Sequence, residues 1–107
     1  MSDTFEAVKR LVAAGDIRIS EHGYDEIADD EISVREIVNG LNEAVVVEDY
    51  PAFVKGPAVL VLQLDAEGRP VHVVWGVPKD REGPAVLVTA YRPDAGRWSA
   101  DFLERLR

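Results

Sequence analysis

Cysteine is absent from this 107-residue chain, histidine occurs twice, and aromatic residues make up only 7%. The missing cysteine excludes a disulfide scaffold, a thiol nucleophile and a cysteine-ligated zinc site. Long apolar runs are also missing. Uncharged stretches such as Gly56 to Leu64 fall well short of the roughly 18 residues that a membrane-crossing helix needs. The opening Met1 to Glu6 has no basic start leading into an apolar segment, so the expectation is a cytoplasmic chain with no membrane association. A length of this order fits one domain, 1–107, with one core.

Basic residues are scarce, 12 Lys and Arg against 20 Asp and Glu, for a net charge of -8. Their distribution says more than the total. Residues 1–20 balance, residues 21–49 carry ten acids against the single Arg35, and residues 50–107 carry a slight basic excess. The acidity therefore belongs to one segment. It disfavours RNA as a partner on charge grounds and serves either as a solvated surface or as one side of an interface.

Start signals mark four helices. Asp3-x-x-Glu6 and Ser33-x-x-Glu36 read as capping boxes, and Ser20 and Ser99 can cap two more helices. The pairs Ile19 with Tyr24, Ile32 with Ile37 and Trp98 with Leu103 have the offset of hydrophobic staples. Phe5, Val8, Leu11 and Val12 form one apolar stripe ended by Gly15, and Val34, Ile37, Val38 and Leu41 form another. The helix from Glu21 to about Asp29 is weaker, with Gly23 in its first turn, and is expected to be short. The last helix would use Phe102, Leu103 and Leu106.

Valine-rich runs at Ala44–Glu48, Ala58–Leu64, Val71–Val77 and Ala85–Tyr91 read as four strands, the last three forming an antiparallel meander. Ile17–Ile19 is a candidate for a further short strand. The expected fold is thus α+β, with N-terminal helices, a four-stranded, mainly antiparallel sheet and a C-terminal helix. Ala58 to Leu62 is apolar on both faces of its strand, so helices on two sides or a second copy of the chain must cover the sheet. The loop Tyr50–Pro57, bounded by prolines, is long enough to serve as a flap.

Few residues can carry chemistry. His22 falls at the second position of a helix, where the dipole favours the neutral imidazole that a general base requires; it can equally pack over the helix start. His72 lies in mid-strand, facing away from Val71, Val73 and Trp75, and suits a satisfied structural histidine as well as a catalyst. It can meet His22 only if the second helix covers its face. Tyr91 and Arg92 end the last strand, and Arg69, Lys79, Arg81, Arg92 and Arg97 stand at strand ends and turns, where phosphate contacts are made. Nucleophile-elbow glycines, a phosphate-binding Gly-x-x-x-x-Gly-Lys and metal-ligand spacing are all missing, so neither cofactor nor metal is expected.

Taken in order, the runs Ile17 to Ile27, Asp30 to Gly40, Gly68 to Val74 and Val86 to Tyr91 resemble the bacterial family known as domain of unknown function 4258. That family is distantly similar to the RelE and ParE toxins, whose fold places helices before an antiparallel sheet. The resemblance places its helix-start histidine at His22, its strand histidine at His72 and its terminal-strand tyrosine at Tyr91. Where the family has an Arg-rich stretch after the first histidine, this chain has the acidic Gly23 to Asp30. Two functions follow from the resemblance. One is a noncatalytic, degenerate toxin-like interaction module, bound to a protein partner or to a second copy as a homodimer. The alternative is a metal-independent ribonuclease: His22 or His72 accepts the 2'-hydroxyl proton, the other histidine or Tyr91 protonates the leaving oxygen, and Arg69 or Arg92 stabilises the charged phosphorane.

Overall fold

A computed structural model describes residues 2–106. Helix α1 spans Asp3–Ala13 and is capped by Ser2, not by the expected Asp3: the Ser2 Oγ accepts from the Phe5 N–H at 3.0 Å. Asp3 and Glu6 sit instead in the first turn, where the helix dipole favours acids. The chain leaves α1 through Gly15, whose φ of 76° suits glycine, and enters the three-residue strand β1, Ile17–Ile19. Helix α2, Glu21–Asp29, follows at once, capped by Ser20, and α3, Val34–Gly40, is capped by Ser33. At seven residues α3 is shorter than α2, the reverse of the expected order, because it tightens into a 3-10 turn at Leu41–Glu43. Strands β2 (Val45–Tyr50), β3 (Ala58–Leu64), β4 (Pro70–Gly76) and β5 (Ala85–Tyr91) complete the regular structure.

The sheet has five strands, not four, in the order β1-β5-β4-β3-β2, and it is mixed. The meander from β2 to β5 is antiparallel, while β1 pairs in parallel with β5 through Ile17–Ala85, Arg18–Val86 and Ile19–Leu87. Ile17–Ile19 is too short to announce itself by periodicity; α1 folding back over the sheet delivers it to the free edge of β5.

Among the described residues the expected C-terminal helix is absent. Ser99, read as its cap, joins a tight turn: its Oγ donates to Asp101 at 2.6 Å and accepts from the Glu104 N–H. Phe102 then adopts a φ of 61°, which no right-handed helix tolerates, and Trp98 and Arg105 form an isolated bridge. The staple of Trp98 with Leu103 is therefore not built as a helix start.

One face of the sheet carries Val59, Val61, Val71, Val73, Trp75, Ala85 and Leu87, which bury against Phe5 and Val8 of α1, Ile27 of α2 and Ile37 of α3. The helices thus lie on one side. Ala58, Leu60, His72, Val74 and Gly76 alternate to the other face, where the C-terminal segment covers only the end around His72. No helix of the described residues is long and apolar enough to cross a membrane.

A bulge in β5 fixes how α2 meets the sheet. The register passes from Val74–Thr89 to Trp75–Leu87, leaving Val88 as the extra residue. Its carbonyl accepts from the Ser20 Oγ at 2.7 Å, and that same oxygen atom caps α2 by accepting from the Gly23 N–H at 2.9 Å. A Cβ on Gly23 would stand 2.9 Å from the carbonyl oxygens of both Leu87 and Val88. Gly23→Ala is therefore expected to destabilise the fold by about 1–3 kcal/mol, since both obstacles are backbone; urea unfolding measures it, and an unchanged midpoint would contradict this packing.

Candidate functional site

His72 and Tyr91 are brought together. They face each other across β4 and β5, with the His72 Nδ1 3.3 Å from the Tyr91 hydroxyl. The β5 bulge decides this arrangement by moving Leu87 to the helix-covered face while leaving Thr89 and Tyr91 on the His72 side. The His72 Nε2 lies 2.8 Å from the Phe102 carbonyl, an oxygen that can only accept. Nε2 therefore carries the proton, and Nδ1 accepts from Tyr91. Trp98 packs edge-on to the imidazole at a centroid distance of 4.4 Å, and His72 is 0% exposed. Burial lowers its pKa from the ordinary 6.5, partly opposed by the Phe102 carbonyl, and burial raises that of Tyr91.

Glu48, Tyr50, Trp98, Phe102 and Arg105 surround this pair or hold its cover, and sequence reasoning did not single them out as a site. Arg105 donates twice to Glu48, at 2.8 and 2.9 Å, and its guanidinium lies 4.7 Å from the centre of the Trp98 ring. Tyr50 also donates to Glu48. The Arg105 hydrogen bonds, aided by Tyr50, hold Glu48 below its ordinary pKa against a smaller effect of burial. The i, i+2 spacing of Glu48 and Tyr50 places both on the His72 face and was the available signal; nothing in the sequence spacing linked Glu48 to Arg105.

His22 is elsewhere. It is 68% exposed on α2, its Nε2 3.3 Å from Glu26, and α2 covers the face opposite His72. Arg69 and Arg92 do meet, but around a carboxylate: the Asp65 Oδ2 is 3.1 Å from the Arg69 Nε and 3.0 Å from an Arg92 terminal nitrogen. Backbone donation from Arg69 is the largest cause holding Asp65 below its ordinary pKa. The Arg92 backbone N–H donates to Asp30 at 2.9 Å, tying the end of α2 to the end of β5. Arg97 stands 4.0 Å from Asp94, and Arg81 lines a separate cavity beside α1. Tyr91, Arg92, Arg97 and Arg105 border a shallow cavity of about 520 Å³, yet each of its arginines already faces a carboxylate.

A second cavity on the same sheet face is apolar. At about 500 Å³, it opens at the Gly76 end of the strands, away from His72. Its floor is Ala58 and Gly76, paired across β3 and β4, and Val74, Val86 and Val88 form one flank. The small residues at paired positions of two strands were legible as a local thinning of the sheet, but the missing C-terminal helix was not.

The family model described as Domain of unknown function (DUF4258) matches residues 19–92, more than half of the chain. The chain belongs to this family. The matched span of the DUF4258 domain runs from the end of β1 to just past β5 and holds His22, Arg69, His72, Tyr91 and Arg92. The segment that seals His72, from Trp98 to Arg105, lies outside it. No curated protein and no solved structure matches the chain.

The seal has a pH signature. Below 6.5 the unfolded chain binds a proton at position 72 that the folded chain, with its lowered pKa, does not, so stability falls as pH falls through this window. The Glu48 contribution, from a lowered carboxylate pKa, is lost only at pH values below its ordinary 4.5. Urea unfolding between pH 7 and 5 should show a declining midpoint in the wild type and a shallower decline in His72→Gln; equal slopes would refute the assignment.

Proposed function

We propose that this DUF4258 domain is a noncatalytic protein-interaction module, with the open end of its second sheet face as the docking surface. The observation that carries this reading is the separation of the acid–base groups. His72 is fully enclosed under Trp98 and bonded to a backbone carbonyl, whereas His22 is exposed on the opposite side and paired with Glu26. Two-step proton transfer at one phosphate requires both groups within hydrogen-bond reach of it. The histidine that has a tyrosine neighbour is enclosed by its own chain.

The ribonuclease alternative also lacks free cations where it needs them. Arg69 and Arg92 share Asp65, and Arg105 is committed to Glu48. Recruiting any of them to a phosphorane would take a cation from a carboxylate that it already serves. The acidic segment 21–49, spread over α2, α3 and β2, adds repulsion toward RNA.

Purified protein incubated with total cellular RNA is expected to leave it intact between pH 6 and 8, and His22→Ala and His72→Gln are expected to behave as the wild type. Cleavage that disappears in either variant would overturn the noncatalytic reading.

A further inference from the structure

The groove over Ala58 and Gly76 has chemistry of its own, and we infer that it binds an extended acidic segment of a partner protein, with apolar side chains seated on the Ala58–Gly76 floor and carboxylates facing Arg18 and Lys55. This rests on the noncatalytic reading above and specifies the partner. Length is the first argument. The lining includes Arg18 of β1, Val86 of β5, Gly76 of β4, Ala58 of β3 and Tyr50 of β2, so the groove crosses all five strands. At strand spacing this is about 19 Å, the reach of about six extended residues. That is a polypeptide's dimension.

Apolar surface continues past the rim. On the β2–β3 connection Phe53, which lines the groove beside Tyr50, is 52% exposed, and its neighbour Val54, outside the lining, is 74% exposed. A compact small molecule filling the cavity would leave Val54 in water, while a chain lying across the groove and past its rim covers it. The floor is suited to this. Gly76 weakens the end of an otherwise valine-rich strand, and a Cβ there would meet only ordinary contacts, the nearest 3.5 Å away. Packing within the chain therefore does not require glycine; the missing side chain deepens the groove.

Charge selects the partner. Lys9, Arg69, Arg92, Arg97 and Arg105 each have a carboxylate within 4 Å, whereas among the described residues Arg10, Arg18, Arg35, Lys55, Lys79 and Arg81 have none; of these six, Arg18 and Lys55 line the groove, and no acidic residue lines it with them. Arg18 stands on the β1 edge and Lys55 on the β2–β3 connection, at opposite sides of the sheet. In a chain of net charge -8, two uncommitted cations bracketing an apolar groove complement an acidic, apolar ligand.

The test is an NMR titration of the isotope-labelled full chain with a capped eight-residue peptide alternating Glu with Leu and Phe, and with its Lys-for-Glu counterpart. Shifts are expected at Arg18, Gly76, Val86 and Val88, with the acidic peptide favoured by about tenfold or more. Arg18→Glu combined with Lys55→Glu should weaken the acidic peptide about tenfold. Gly76→Val should abolish binding, while Gly76→Ala, which only adds an ordinary contact, reports that the strand still folds. Absence of groove shifts, or equal binding of the Lys peptide, overturns the inference. So does saturation by decanoate where the peptide fails, which would make the groove a small-molecule site. Sedimentation showing a dimer that Gly76→Val dissociates would make a second copy the occupant and overturn it too. RNA cleavage in the earlier assay would sink the noncatalytic reading while leaving these binding results intact.

Discussion

A meander whose inner strands are apolar on both faces cannot stop at one layer of cover. Val59, Val61, Val73 and Trp75 find the helices, but Leu60 and Val74 of the same strands alternate to the other side and need a separate solution. The chain supplies half of one. Its C-terminal segment folds over the His72 end and is fastened at the Phe102 carbonyl and through Arg105 to Glu48. The other half remains a groove. The enclosed histidine and the open apolar surface are therefore consequences of a single shortage of cover, divided unevenly along the strands.

That division also separates two kinds of polar residue. The groups that enclose His72 are committed to neighbours within the chain: His72 to Tyr91 and the Phe102 carbonyl, and Arg105 and Tyr50 to Glu48. Such mutual satisfaction rigidifies a site and removes its capacity to serve a ligand. Around Gly76 the charged groups are Arg18 and Lys55, neither with a carboxylate of the described residues within 4 Å, so the surface keeps its capacity to bind. The acidic helices on the far face contribute charge to the molecule as a whole and none to this groove.

Local signals carried much of the fold. Serine caps located α2 and α3, and the valine runs at 58–64 and 85–91 have the observed strand limits. What the sequence hid was long-range or conditional. Ile17–Ile19 becomes a strand only because β5 offers an edge, which no window of sequence displays. Ser99 looks like a helix cap because caps and tight turns use the same side-chain acceptor, and the competing pull of His72 on Phe102 lies thirty residues away. The bulge at Val88 likewise left two registers open for Tyr91, one beside His72 and one facing the helices. The candidate site was half legible for that reason: the histidine and tyrosine were visible, their enclosure was not.

The parallel pairing of β1 with β5 also governs the order in which the molecule can assemble. The Ser20 and Val88 atoms that join these strands are 68 residues apart, and three residues of ladder return little against the entropy of closing so long a loop. The β3–β4–β5 meander, made of short-range hairpins, must provide the template first. Until it does, α2 lacks the carbonyl that anchors its cap, so the helix bearing His22 is completed by a strand that follows it by more than fifty residues.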